Sequence, residues 1–291
     1  MTVEEVVARM PGWATAATCR ITPLAGGITN ENYRVDVDGV AHVVRIGGQD
    51  TALLGIDRAR EHAATAVAAG LGVGPELVFA LPEAAVLVTR FIDGRVLEAA
   101  DVREPVVLGR VAEALGLVHR GPSIPGRFSA FRTVEVYRDL ALAHGVALPP
   151  ALPDWLALAR RIEAALPADP PVPCHNDLLA ANFIDDGARI RILDWEYAAM
   201  GDAYFDLGNL AANCELGPAE ERWLLERYGV AATPRALARI GVMRLVSDLR
   251  EATWGLVQVG ISRLDFDFAG YAARHFARVA AGVDRAAAWL A

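Results

Sequence analysis

The sequence predicts an α+β protein of two lobes, with a small β-rich N-terminal lobe and a larger helical C-terminal lobe. Two observations support this. The first ninety residues alternate short strand patterns with glycine turns, and after Asp93-Gly94 the chain changes to long stretches rich in alanine and leucine. One polar hairpin, residues 172–196, interrupts the helical part. We expect the first lobe to span residues 1–92 and the second residues 93–291.

The N-terminal lobe is predicted from its patterns in chain order. Two strand patterns flank Gly26-Gly27 in ITPLAGGITNENYRVDVDG, and AHVVRIGG continues the sheet. The segment IDRAREHAATAVAAGLG indicates a helix, with Asp57 near its start and Gly70 near its end. AAVLVTRF returns to a strand, and we expect the hinge near residues 89–94.

The C-terminal lobe begins with a helical pattern from about Val106 to His119, which stops at Gly121. In the polar hairpin, two short β arms flank a turn at Asp186-Gly187. Helical patterns then continue to the end of the chain.

Composition narrows the function classes. The net charge of −8 argues against nucleic acid as the main partner, because phosphate binding needs a basic surface. All 28 basic residues are arginine, so any mechanism that depends on lysine is excluded. The cysteines Cys19, Cys174 and Cys214 have neither a disulfide framework nor a zinc spacing and are expected to be buried free thiols.

We also expect no membrane partner and a cytoplasmic location. No apolar run reaches the roughly 18 to 20 residues that a membrane helix needs. The segment MTVEEVVARM carries two glutamates where a secretory signal has positive charge. The oligomeric state is not readable from the sequence, with a homodimer kept as an option.

The polar hairpin carries the chemistry. His175, Asp177 and Asn182 form H-x-D-x-x-x-x-N, and Asp194 ends the strand pattern RIRILD. Phosphoryl transfer needs a carboxylate to accept or orient the proton of the acceptor hydroxyl, and hard oxygen ligands for Mg²⁺. Asp177 suits the first role, and Asn182 and Asp194 suit the second. Each residue alone would indicate a turn or cap, but together they have the spacing of the protein-kinase catalytic loop. His175 is expected to hold the loop by hydrogen bonds.

The chain resembles the aminoglycoside phosphotransferase and choline kinase superfamily, the small-molecule branch of the protein-kinase-like fold. CHNDLLAANF is similar to the catalytic loop of that superfamily, and ILDWEYAAMGDAYFDLGNL resembles the choline and ethanolamine kinase branch. The resemblance runs from about Leu24 to Phe276. It implies a kinase that uses ATP and Mg²⁺ to phosphorylate a small amino alcohol, with choline or ethanolamine as the leading acceptors. In this superfamily the aspartate that corresponds to Asp206 supports the catalytic loop.

The resemblance also implies a nucleotide site in the N-terminal lobe. The loop over the nucleotide phosphates corresponds to LAGGITNENYRV, and the hinge VTRFIDG faces the adenine. The cation that contacts the phosphates is Arg45, as is common in the choline kinase branch, with Glu61 as its partner. The implied nucleotide-binding residues are Gly26, Gly27, Thr29, Asn30, Arg45, Glu61, Thr89 and Phe91.

For the acceptor, the resemblance implies an aromatic and acidic pocket that binds an ammonium group. The matching positions are Glu196, Tyr197, Trp254 and Tyr271. The eukaryotic enzymes usually have a second tryptophan one helical turn before the first, and here that position is Glu251. Whether Glu251 takes part in binding stays open.

Two alternatives remain at this point. Other members of the superfamily phosphorylate aminoglycosides, thiamine and similar alcohols. An aminoglycoside is a polycation, and its binding requires several clustered carboxylates, which Glu251, Asp248 and Asp265 could supply. The second alternative is a catalytically silent nucleotide-binding module. The intact set of Asp177, Asn182 and Asp194 argues against it.

Overall fold

The computed structural model describes residues 1–24, 30–48, 51–167 and 169–290. The chain divides into two compact units. The first unit contains Met1–Leu97 and Ala181–Ala198, and the second contains Glu98–Ala180 and Ala199–Ala291. This division describes packing, and the boundary of the lobes between residues 92 and 93 stays a prediction.

The first unit is built on a five-stranded antiparallel sheet in the order β1-β2-β3-β5-β4. Its helices and strands are α1 (Val3–Arg9), β1 (Cys19–Leu24), β2 (Asn30–Val37), β3 (Val40–Gly47), α2 (Arg58–Gly70), β4 (Leu77–Leu81), β5 (Val86–Arg90), β6 (Arg95–Val96), β8 (Phe183–Asp185) and β9 (Ile190–Ile192). The last two strands form the predicted hairpin, and β8 also pairs with β6, which gives a second sheet in the order β6-β8-β9. The strands predicted from the first ninety residues are therefore present.

One face of the large sheet is closed by a helix that the sequence interpretation did not include. Val35, Val44 and Val86 are fully buried on this face, and Val3 and Val6 of α1 pack against them. Apolar side chains at alternate strand positions point to the same side of a sheet, so burial of one face requires such a cover.

Helix α2 begins and ends as its sequence predicts. The Asp57 carboxylate accepts hydrogen bonds from the backbone N–H groups of Ala59 and Arg60, both at 3.0 Å, and this caps the N-terminus. The helix ends at Gly70 and buries Glu61, which is 1% exposed. A carboxylate buried to this degree needs a cation beside it.

The second unit is mainly helical. Its elements are α3 (Ala99–Arg103), α4 (Pro105–His119), α5 (Ala130–Ala143), α6 (Leu152–Ala165), β7 (Val172–Cys174), β10 (Ala199–Gly201), α7 (Ala203–Asn213), α8 (Pro218–Tyr228), α9 (Pro234–Ile261) and α10 (Phe268–Trp289). Strands β7 and β10 form a short antiparallel pair. Helix α9 lies at the centre, with α5, α7 and α10 packed on it. Among the described residues, no helix combines the length and apolar character that a membrane span needs.

Two glycines allow the helices around α9 to approach closely. A Cβ on Gly208 of α7 would lie 2.5 Å from the Met243 Cβ and 2.8 Å from the Met243 carbonyl carbon. A Cβ on Gly255 of α9 would lie 3.0 Å from the Ala272 Cβ on α10. Because glycine has no Cβ, the axes of these helix pairs can lie closer together at Gly208 and Gly255.

We expect Gly208→Ala to destabilise the protein by about 1–3 kcal/mol, because the new methyl group overlaps the backbone of α9. The matched control is Gly241→Ala, also within a helix, where the nearest atom is Arg285 Cδ at 3.9 Å. This control should be neutral or stabilising by up to about 1 kcal/mol. Thermal and denaturant unfolding measure both effects, and equal changes in the two variants would contradict the packing argument.

Candidate active site

The predicted base lies in a tight turn that follows β7. Asn176 has a φ of 67°, a left-handed conformation that asparagine adopts more readily than most residues. Asp206 of α7 holds the turn, because its carboxylate accepts the backbone N–H of His175 at 2.8 Å and that of Asn176 at 2.7 Å. The His175 Nδ1 accepts the Asp177 N–H at 3.2 Å, which agrees with the loop-holding role expected for His175.

Two residues that the sequence interpretation missed stand behind Asp206. The His119 Nε2 lies 2.9 Å from the Asp206 Oδ2, and the His119 Nδ1 lies 2.8 Å from the Tyr228 hydroxyl. The three side chains come from α4, α7 and α8, and burial raises the pKa of Tyr228 to about 12. No local sequence pattern connects them, so only their packing reveals the group.

The second half of the turn is held from α7 and α9. The Asn209 Oδ1 accepts the Leu178 N–H at 2.5 Å, and the Asn209 Nδ2 donates to the Ser247 Oγ at 2.9 Å. Asn209 and Ser247 are fully buried. The turn is therefore fixed on both sides of Asp177 by side chains with little freedom to move.

The Asp177 carboxylate faces a buried arginine of α9. Arg250 Nη1 donates to the Asp177 Oδ1 at 3.0 Å, and the Asp177 side chain is 15% exposed. Burial raises the pKa of Asp177 to about 6, since desolvation outweighs the opposing attraction of Arg250, and the nearby Glu251 raises it further. A carboxyl group with a pKa in this range is mostly ionised at neutral pH and remains basic enough to accept a proton.

An acidic and aromatic group continues from Arg250 along α9 and α10. The same Arg250 Nη1 donates to the Glu251 Oε1 at 2.6 Å, and the Tyr271 hydroxyl donates to the Glu251 Oε2 at 2.8 Å. The rings of Trp254 and Tyr271 meet edge to face with centroids 5.6 Å apart. The structure thus brings the predicted acceptor residues Trp254 and Tyr271 together with Glu251, whose participation the sequence left open.

The predicted arginine and glutamate pair is present in the first unit. Arg45 of β3 forms an ion pair with Glu61 of α2, and a second one with Asp194. Arg45 is 8% exposed and Glu61 is 1% exposed. Charge attraction between buried partners offsets the cost of removing them from water, so the two carboxylates hold the guanidinium in place.

The contacts of Glu196 differ from the sequence interpretation, which placed it in the ammonium pocket. Its carboxylate accepts hydrogen bonds from Arg58 at 3.2 Å and from the Asn30 Nδ2 at 3.1 Å, and Arg58 also binds Glu61 at 2.8 Å. Burial and the charge of Asp194 raise the pKa of Glu196 to about 7. The buried Glu196 carboxylate therefore finds its cation in Arg58, on helix α2, and its place in the ammonium pocket stays a prediction.

The predicted metal ligands lie at the open end of the β8-β9 hairpin. The Leu193 N–H donates to the carbonyl oxygen of Asn182 at 2.8 Å, which ties the two strand ends together. Asp194 follows in the left-handed conformation with a φ of 62°, and its side chain is 31% exposed. Backbone conformations of this kind are often found at functional sites.

The remaining predicted residues are placed as follows. Thr89 is buried at the end of β5, and the Phe91 N–H donates to the Ala41 carbonyl oxygen at 3.0 Å, so this N–H is already used within the sheet. Tyr197 is 9% exposed, and its role stays a prediction. Gly26, Gly27 and Thr29 lie outside the described residues.

We expect Asp206→Ala to destabilise the protein by roughly 3 kcal/mol or more, because it leaves two buried backbone donors and His119 without their acceptor. The control is Asp139→Ala, whose carboxylate is 64% exposed and pairs with the neighbouring Arg138. An exposed pair contributes at most about 1 kcal/mol. Calorimetry compares the two, and similar losses of stability would show that Asp206 does not carry the turn.

The comparisons with known proteins agree with this geometry. The model of the phosphotransferase enzyme family matches residues 20–240. Human ethanolamine kinase 2 is 30% identical over 80% of this chain and 67% of its own, and a probable ethanolamine kinase of Arabidopsis thaliana is 27% identical over 85% and 75%. The crystal structure of a choline/ethanolamine kinase family protein from Mesorhizobium loti has a TM-score of 0.84 at 31% identity, covering 100% of this chain and 99% of the other. The predicted kinase-like α+β fold is confirmed, and the chain belongs to the phosphotransferase enzyme family.

Proposed function

We propose that this phosphotransferase moves the γ-phosphoryl group of ATP to the hydroxyl of a small amino alcohol, with choline or ethanolamine as the leading acceptors. One observation carries the proposal. The carboxylate of Asp177 is linked through Arg250 to Glu251, which binds Tyr271 and so continues into the aromatic group. A base for a hydroxyl and a group suited to an ammonium ion are therefore parts of one bonded set.

Asp177 acts on the acceptor hydroxyl. The hydroxyl oxygen bonds to the γ-phosphorus, the bond from that phosphorus to the bridging oxygen breaks, and ADP leaves. Asp177 orients the hydroxyl and takes its proton. The transition state of such a transfer is loose, so positioning contributes more than the strength of the base. The hydrogen bonds from the turn to Asp206 and Asn209 support this role.

On the nucleotide side, Arg45 contacts the phosphates and Glu61 holds it. A guanidinium can donate two hydrogen bonds in one plane, which suits phosphate oxygens, and it stays charged at every relevant pH. Arg58 keeps Glu61 and Glu196 in place. Asn30 follows the glycine-containing loop and is bonded to this group through Arg58 and Glu196, so we assign Glu196 to the nucleotide side.

The donor set of Asn182 and Asp194 fits Mg²⁺, because an amide oxygen and a carboxylate are hard oxygen ligands. The partial exposure of the Asp194 side chain also fits a group that binds a ligand from solution. When bound, Mg²⁺ would supply positive charge that offsets the negative charge developing on the phosphate. Asn182 and Asp194 would hold it.

The acceptor is proposed to carry a single ammonium group. Its charge would face Glu251 and the rings of Trp254 and Tyr271, since aromatic faces attract cations. A polycationic aminoglycoside is less well supported, because Asp248 is already bonded to His275 at 2.9 Å and to Arg278 at 3.0 Å.

A silent nucleotide-binding module is the second candidate, and it predicts ATP binding without turnover. A panel of amino alcohols with ATP and Mg²⁺ separates the two. We expect turnover with at least one member of the panel. Nucleotide binding with no transfer to any alcohol would favour the silent module.

Asp177→Asn should lower kcat by on the order of 10²–10⁴, because the amide cannot take the hydroxyl proton. Asp139→Asn, at an exposed surface position, is the control and should leave kcat unchanged. Steady-state kinetics measure both. Unchanged turnover in Asp177→Asn would remove this residue from its proposed role.

Trp254→Leu should raise the KM for a trimethylammonium acceptor by about 3- to 30-fold and leave the KM for ATP unchanged, because the ring face is lost while apolar volume is kept. Trp155→Leu is the matched control, since its ring stacks on Phe276 with centroids 5.4 Å apart. This variant should alter neither KM. Equal effects of Trp254→Leu on the two substrates would identify Trp254 as a packing residue.

A further inference from the structure

Arg250 is a deeply buried arginine that donates a hydrogen bond to the proposed base, Asp177. Its side chain is 2% exposed, and a single nitrogen, Nη1, donates to the Asp177 Oδ1 at 3.0 Å and to the Glu251 Oε1 at 2.6 Å. A guanidinium at this depth is costly unless carboxylates surround it. The carboxylates that this nitrogen contacts are the proposed base, Asp177, and Glu251, which lies beside the aromatic rings.

The turn that carries Asp177 cannot supply such a cation itself. Between Asp177 and Asn182 the chain reads Leu-Leu-Ala-Ala, without a charged side chain. Arg250 comes from α9, 73 positions downstream of Asp177. The loop motif therefore gives no sign that its carboxylate is paired, and only the packing of α9 reveals the partner.

We propose that Arg250 is a positioning residue of the phosphotransfer site, which joins Asp177 and Glu251 into one unit and keeps the base ionised at a set distance from the acceptor carboxylate. The inference rests on the proposed function for its catalytic consequence. Two carboxylates, Asp177 and Glu251, and one guanidinium, Arg250, together carry one net negative charge. This charge matches an acceptor with one positive charge.

Several titratable groups among the described residues interact electrostatically with Asp177. Arg250 and Glu251 come from α9, Tyr271 from α10, and His175 from its own turn. Arg250 favours the ionised form of Asp177 against burial, and Glu251 opposes it. The two neighbours therefore act on the pKa of Asp177 in opposite directions, because one is a hydrogen-bonded cation and the other a like charge.

The test compares the pH dependence of kcat/KM in Arg250→Gln, Arg250→Lys and Glu251→Gln. Removing Arg250 should move the acid limb of the profile to higher pH by about one unit or more, because Asp177 then protonates more easily. Arg250→Lys keeps the charge and should restore part of the shift. Glu251→Gln removes a like charge and should move the limb to lower pH.

The matched control is Arg239→Gln. Arg239 lies on the same helix, is 7% exposed, and binds Asp169 and Asp202, away from the proposed base. This variant should lose stability without moving the acid limb. If the limb in folded Arg250→Gln coincides with that in Arg239→Gln, the inference is overturned. Should Arg250→Gln fail to fold, an unmoved limb in Glu251→Gln would overturn it instead.

A second readout does not depend on the substrate. Carbon-13 NMR of the side-chain carboxyl groups, with the Asp177 signal identified by its loss in Asp177→Asn, follows the titration of this residue directly. An upward shift in Arg250→Gln supports the positioning role even if no amino alcohol is phosphorylated, in which case the proposed function alone fails. An unchanged titration of Asp177 contradicts the positioning role whatever the substrate is.

Discussion

The Asp206 carboxylate is the constraint on which the catalytic turn depends. It is fully buried and accepts two backbone N–H groups of the turn, while His119 contacts it from α4. A buried carboxylate is stable only when its hydrogen bonds are made, so the turn and the Asp206 side chain stabilise each other. This arrangement keeps Asn176 in a left-handed conformation and thereby aims Asp177.

Helix α9 contributes residues both to the core of the second unit and to the candidate active site. Its apolar residues pack mainly against α5, α7 and α10. Its polar residues include Ser247, which supports the turn through Asn209, and Arg250, which binds Asp177. One turn further, Trp254 packs on the ring of Tyr271. Because a helix is rigid over this length, the positions of Arg250 and Trp254 relative to each other follow from the geometry of α9.

Because the sequence contains no lysine, arginines pair with the buried carboxylates of the first unit. Arg45 and Arg58 share the buried Glu61, and each binds one further carboxylate, Asp194 and Glu196 respectively. A guanidinium offers several donors in fixed directions, so it can serve two carboxylates at once, which a single ammonium group does less well. The cluster orders the residues assigned to phosphate and metal binding through arginine alone.

The sequence by itself determined the two-part α+β fold, the capped helix α2, the hairpin and the kinase-like motif, because each rests on local periodicity or on fixed spacing along the chain. The pair of Arg45 and Glu61 followed from the family pattern. Only the tertiary structure decided the partners of Glu196, His119 and Arg250. These contacts join residues tens of positions apart, and which cation neutralises a buried carboxylate depends on how the helices pack and not on any spacing in the sequence.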